Sequence, residues 1–333
     1  MDNAQNYWSR VWQHFKRNIL AVAGLWVSGG LLLIALFADI LANDKPYYMI
    51  YQGKMFFPIL QSYLDSLGIA PLPDELRLVD FATLSAERAI YPPIRYRPNR
   101  VDLLDPLAEP SGDHWLGTDK LGRDVLAGLI HGSRISLSIG FVSIGIAVLI
   151  GVVLGATAGY FGGWIDLVIS RIFELMLGIP TFFLILTIAA TLRPNIFYTM
   201  LIIGLTGWVG IARLTRNEFL KVRNLDYVTA AVSLGVPTPR ILVRHILPNA
   251  LAPVLVSVVL GIAAAILTES GLSFLGIGVP ADLVTWGSIL NEARSNTFAW
   301  WLAVFPGAAI FLAVVAYYLV GEGLRDALDP RLQ

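Results

Sequence analysis

Cysteine is absent from the 333 residues, which excludes disulfides, thiolate chemistry and Cys-type metal sites. Histidine is scarce. His14, His114, His131 and His245 lie far apart and outside the long apolar runs, and no H-E-x-x-H zinc motif occurs. None of the five lysines is followed by Ser or Thr, so the chain lacks a phosphate-binding loop. Charge is scarce too: 14% of residues are Asp, Glu, Lys or Arg, against about 25% in a soluble domain. The 24 basic and 24 acidic residues cancel, which gives no case for nucleic acid as a partner.

Apolar sequence takes the place of charge, at 56% of the chain. Charge-free stretches cover 19–38, 135–165, 175–192, 194–212, 246–268 and 295–321. Each is long enough for a helix to cross a hydrocarbon core of about 30 Å. Lipid offers no partner to free backbone N–H and C=O groups, and these runs lack the alternation of barrel strands, so helices are expected. The first run has the basic flank of a signal peptide in Arg10, Lys16 and Arg17. Its length, and Ile40 where a cleavage site before Asn43 needs a small residue, read instead as an uncleaved helix.

About six spans place both termini on one side, and basic residues choose that side. The N-terminal arm, 1–18, is basic. The segment 213–248 carries Arg213, Arg216, Lys221, Arg223, Arg240 and Arg244 against Glu218 and Asp226. The expected organisation is therefore a cytoplasmic arm 1–18, a first transmembrane helix 19–42, an external insert 43–133, a transmembrane core 134–322 and a cytoplasmic tail 323–333. The proline-rich insert reads as a small ordered cap or wrapped loop. Towards its end Leu121, Val125, Leu129 and Ile130 share a helical face, with Thr118 or Asp119 as cap, which predicts a short helix in the outer interface.

The segment Asp226–Asn249 predicts two short helices. Gly235 ends the first by taking positive φ, Thr238 caps the second with Pro239 in its first turn, and Pro248 marks the entry to the fifth span. Ala230 and Ala231 give the first helix a smooth side. A passive connector and a docking element are both open on these residues alone.

Thr229-Ala230-Ala231, Gly235 and Ile246-Leu247-Pro248 resemble the EAA loop of bacterial ABC-importer permeases, with Thr229 in place of the usual Glu and His245 where many members have Ile. Gly117-Thr118-Asp119, Gly122-Arg123-Asp124 and Gly132-Ser-Arg-Ile-Ser-Leu137 resemble the signature of the peptide/nickel branch (DppC/OppC-like). Gly162, Gly163, Asp166, Arg171, Glu174 and Pro180 resemble a further pattern of that branch, with Glu174 replacing Asp. So do Glu269–Pro280, Trp286-Gly287 and Gly323–Pro330. The long insert and Ala42–Pro46 look like the microcin C/oligopeptide subgroup.

The resemblance implies an all-α membrane protein with the type I ABC-importer permease fold in a bacterial inner membrane. Its implied partners are a related second permease, two ATPase subunits that bind ATP and Mg, and an external substrate-binding protein. No cofactor is expected on this chain. Asp226, Tyr227, Thr229, Ala230, Ala231, Gly235, Arg240, His245 and Pro248 then couple it to the ATPase, and the external motif and the 271–298 loop meet the binding protein.

Arg171 and Glu174 share a helical face, so they either brace an inner gate or form an ion pair holding two helices together. Pro180 is expected to kink that helix. Glu269 falls about 30 Å along the fifth span, where a solvated or capping carboxylate is expected and an outer-vestibule role is the alternative. Gly140, Gly145, Gly151, Gly155, Ala156 and Gly159 read as a packing stripe rather than a path lining. Two rivals remain: a secondary transporter or channel, which wants charges near the midplane, and a membrane-embedded enzyme, which wants a catalytic set within the spans.

Overall fold

The computed structural model describes residues 2–71, 73, 76, 81, 84, 87–280 and 282–329. Helix α1 (Asp2–Arg17) meets α2 (Ile19–Leu36) at Asn18, whose side chain accepts a 3.1 Å hydrogen bond from the Ala21 N–H and so caps α2. There follow α3 (Ala38–Leu41), α4 (Pro58–Ser66), α5 (Val125–Phe161), α6 (Gly163–Leu177), α7 (Thr181–Thr191), α8 (Ile196–Val222), α9 (Asp226–Ser233) and α10 (Thr238–Ile241). A π turn (Leu242–Ile246) leads into α11 (Leu247–Phe274), then α12 (Trp286–Glu292) and α13 (Trp301–Leu328).

Among the described residues five helical stretches are long and apolar enough to cross a membrane: Ile19–Leu36, Val125–Phe161, Ile196–Val222, Thr238–Phe274 and Trp301–Leu328. The sixth, expected over 175–192, is a broken pair. Helices α6 and α7 meet at a 79° bend. Gly178-Ile179-Pro180 sits at the break, where Pro180 has no N–H to donate and its ring excludes the preceding helical turn. The expected kink is thus a full break.

Several boundaries move. Helix α2 ends at Leu36, short of residue 42. Helix α5 starts at Val125, so the expected interfacial helix is not a separate element, and its second half is the first turns of α5. Asp124 supplies the cap in place of Thr118 or Asp119: its Oδ1 accepts from the Ala127 N–H at 2.7 Å. Helix α8 runs on past residue 212, so Arg213, Arg216 and Lys221 stand on its last turns and not in a loop.

The chain forms two compact units, Met1–Gly29 with Leu137–Pro280 and Ile310–Gln333, and Gly30–Ser136 with Ala281–Ala309. In the first, a Cβ at Gly155 would lie 2.3 Å from the Ala212 carbonyl oxygen, and one at Gly140 2.9 Å from Ile266. The small residues therefore let α5 touch α8 and α11 almost backbone to backbone, as a packing stripe should. Gly145 faces open space and does not share this role.

The second unit departs from the all-α expectation by one small sheet. Strand β1 (Tyr48–Tyr51) pairs antiparallel with β2 (Lys54–Phe56) and β3 (Arg88–Ile90), in the order β2-β1-β3. Gln52 and Gly53, both at positive φ, form the two-residue turn that suits a twisted hairpin. Met49, Phe56, Leu76 and Phe81 are buried together as its core.

Candidate functional site

The two short helices after α8 form a keyed platform. Helix α9 ends in a Schellman arrangement, with Val236 N–H bonded to Ala231 O (3.1 Å) and Gly235 N–H to Val232 O (2.9 Å). Gly235 holds φ +74° there, as its position predicted. Helix α10 then begins behind Pro237, which offers no side-chain cap bond. Thr238, expected as the cap, is the first helical residue, with Pro239 second.

Pro248 does not break the chain into a new span, because α10, the π turn and α11 run on as one helical stretch. A proline ring crowds the carbonyl four residues back, and the wider π turn just before it makes room. The His245 carbonyl there accepts from Asn249 Nδ2 at 2.8 Å, and the same amide donates to Tyr227 Oη at 3.0 Å. Asn249 thus ties the start of α9 to the start of α11. Its one signal in the sequence is its place after Ile246-Leu247-Pro248.

The platform has two faces. Val228, Ala231, Ile241 and Ile246 are buried with Phe219 and Val222 of α8 and Ala250 of α11. Thr229, Ala230, Val232, Leu234, Arg240, Val243 and Arg244 are exposed, Leu234 by 82%. Ala230 and Ala231 do not form one smooth side. Successive helical residues point 100° apart, so Ala231 faces the chain's own core and Ala230 faces outward. Asp226, Tyr227 and Pro248 are also exposed, and His245 is half-buried.

The intramembrane charges are arranged differently from expectation. Arg171 and Glu174 pair with each other along α6, both largely exposed, so among the described residues they hold no second helix. Asp166 and Arg216 make that bridge, in a bidentate pair between α6 and α8 with Arg216 Nη2 at 2.6 Å from Asp166 Oδ2. Beside it Arg223 donates to the carbonyls of Gly159 (2.9 Å) and Tyr160 (3.0 Å), capping the end of α5. In the sequence Arg216 and Arg223 count only as basic residues of the 213–248 segment, because their partners are some fifty and sixty residues away. Glu269 is fully buried and accepts from Ser273 Oγ at 2.7 Å, which overturns the solvated reading. A serine one helical turn on gives the carboxylate a donor inside the packed core.

The external motif is a clasp. Asp119 Oδ1 accepts from the N–H groups of Leu121 (2.8 Å) and Arg123 (2.9 Å), while Arg123 Nε binds Asp119 Oδ2 at 2.5 Å. Arg123 reaches on to Glu292 at 2.7 Å. Burial and the charge of Asp119 push the Glu292 carboxyl above its usual range, a rise that Arg123 opposes. Thr118 bonds Asp105 O and the Ala108 N–H, both at 2.7 Å, and its carbonyl accepts from Trp301 Nε1. His114 Nδ1 lies 2.8 Å from Asp124. Gly117 and Gly122 hold φ +77° and +70°, and a Cβ at Gly122 would sit 1.7 Å from Asp102 O. The motif therefore fastens the start of α5 to the α12–α13 segment.

Residues 151–333 match the family model described as "Binding-protein-dependent transport system inner membrane component", and residues 6–61 match "N-terminal TM domain of oligopeptide transport permease C". The chain is 35% identical to the inner membrane ABC transporter permease protein YejE of Escherichia coli K12, over 96% of each chain. It is 33% identical to the dipeptide transport system permease protein DppC of Alkalihalophilus pseudofirmus, over 98% of this chain and 90% of the relative. With the oligopeptide transport system permease protein OppC of Bacillus subtilis it shares 38% identity, over 74% and 81%. Its fold resembles that in an inward-facing structure of the MetNI methionine ABC transporter, with a TM-score of 0.50 at 17% identity, covering 60% of this chain and 96% of that one.

Proposed function

The chain belongs to the family of binding-protein-dependent transport system inner membrane components, and from that premise we propose that it is the permease subunit of a peptide importer driven through the α9–α10 platform. The observation that carries the coupling reading is the platform's double face. Its inner side is locked onto α8 and α11 by one buried cluster, and its outer side is exposed, with none of the described residues covering it. A body that pushes the outer side moves two spans.

ATP must be used elsewhere, since the chain has no phosphate-binding loop. We place ATP and Mg in two ATPase subunits, one of them docked on Thr229, Ala230, Leu234 and Arg240. ATP binding then shifts the permease between inward- and outward-open states by making different contacts in the two. A related second permease completes the pathway, with the exposed Arg171–Glu174 pair bracing the inner gate. A binding protein delivers substrate to the external insert and the loop before α13. The basic residues of the N-terminal arm and of 213–248 support placing both termini and the platform on the cytoplasmic side of a bacterial inner membrane. Peptides are the substrate class favoured by the names of the relatives.

Affinity purification of the tagged chain from native membranes tests this. An ATPase subunit, a second permease and a binding protein are expected in the eluate. Transport-competent preparations containing this chain without any ATPase would overturn the proposal.

A further inference from the structure

A polar cleft in the insert unit matches no part of the coupling scheme. It holds about 310 Å³ and is lined by Asp39, Lys45, Ser62, Tyr63, Arg97 and Arg134, among others. Three cations line it against Asp39, with Asp44 and Asp65 close to Lys45. Arg134 is paired with Asp39 at 2.8 Å, and Arg97 with the buried Asp44 at 2.7 Å. Lys45 makes no ion pair among the described residues; it donates to Ser62 Oγ at 2.6 Å and its ammonium lies 5.9 Å from the centre of the Phe81 ring. A second hollow of about 400 Å³ shares Asp39 and Arg97 and adds Arg100 and His131 to the basic side.

Depth along the first span says what this charge can meet. Ile19–Leu36 is 18 residues, about 27 Å of helix, close to the thickness of the hydrocarbon core. Leu36 therefore marks one hydrocarbon boundary. Arg134 Nε donates to the Ala35 carbonyl at 3.0 Å, and so sits on the last turn of that span. The cleft thus opens at headgroup level. Leu36 and Phe37, at that boundary, are exposed and suited to the ends of acyl chains, and Ile40, Phe57 and Leu60 are exposed apolar residues beyond it. Tyr47 and Tyr63 turn their hydroxyls to Ile40 O and Asp39, in the manner of an interfacial aromatic belt.

We propose that this cleft binds the phosphate of an anionic phospholipid in the leaflet at the far end of the first span, with Lys45 and Arg97 as its principal donors. Burial, then repulsion from Arg97, holds the Lys45 ammonium below its usual range despite nearby carboxylates. A bound phosphate would offset that repulsion by attracting both cations. The proposal rests on α2 spanning the bilayer and is independent of the coupling scheme.

Native mass spectrometry of the delipidated, full-length chain tests it, with phosphatidylglycerol as the probe and phosphatidylcholine as the comparison. The wild type is expected to retain one phosphatidylglycerol in preference to phosphatidylcholine. Lys45→Met removes the charge without orphaning a carboxylate, and should weaken retention about tenfold. Lys45→Arg should restore it, which separates a lost ligand contact from a lost fold. Equal retention by Lys45→Met, or no preference between the lipids, overturns the site. Displacement of the lipid by soluble glycerol phosphate at equal concentration makes it a free-phosphate site and overturns the lipid assignment. Displacement by an acidic peptide makes it a protein-docking cleft, with the same consequence.

Discussion

Neighbouring alanines on α9 offer an internal control. Ala231 is 7% exposed and packs in the cluster with Val228 and Ile241, while Ala230, one residue earlier, is exposed. An arginine at position 231 must overfill that cluster or bury an unpaired charge, at a cost of about 3 kcal/mol. For a chain of 333 residues the corresponding drop in melting temperature is about 4 °C. An arginine at position 230 projects into solvent and should change stability by no more than about 0.5 kcal/mol. Ala231→Arg should therefore melt early and accumulate poorly. Ala230→Arg should melt as wild type yet lose ATPase recovery and uptake, because a long charged side chain now stands where the partner must approach. The assays are melting in detergent, recovery of the ATPase in pull-downs, and substrate uptake. Equal melting of the two variants would refute the two-faced geometry. Wild-type uptake by Ala230→Arg would refute the docking assignment.

Gly235→Val should fold and insert, since its side chain meets open space, but a left-handed φ strains it by about 1–2 kcal/mol and re-aims α10; normal protein level with reduced uptake is expected. Gly122→Ala should disrupt the external clasp, because its Cβ cannot coexist with Asp102 O, and limited proteolysis should then cut within the insert. A single cysteine replacing Tyr63, in a chain with no native cysteine, should react with an impermeant thiol reagent in intact spheroplasts; reaction only after lysis would reverse the topology. A companion cysteine at Ser85 lies outside the described residues.

Much of this architecture was legible in the sequence because apolar length is a one-dimensional property. The charge-free runs fell on all five continuous helices long enough to cross a membrane, though the run 175–192 caught only part of the broken pair, and Gly235 announced its own backbone conformation. Contacts between distant segments were not legible. The Arg171–Glu174 spacing drew notice because it is local, whereas the pair that joins two helices, Asp166 with Arg216, depends on the fold. Glu269 misled for a similar reason: its distance along the span was right, but its burial depends on neighbours from other helices. The external motif looked like the start of a helix because Leu121, Val125 and Leu129 share a period, yet Gly117 and Gly122 at positive φ fold the first half into a turn. The sheet of the insert escaped notice, its strands being only three and four residues long.

Crosslinking from Leu234 tests the central claim most directly. The residue is 82% exposed at the tip of α9, and a cysteine placed there is the only thiol in the chain. Labelled with a photoactivatable group and irradiated in native membranes, it should crosslink to the ATPase subunit, with a yield that changes when a non-hydrolysable ATP analogue is added. The same label at Leu104, which is 90% exposed in the insert unit, should give no such product. Failure of Leu234 to reach the ATPase, or equal crosslinking from Leu104, would contradict the account.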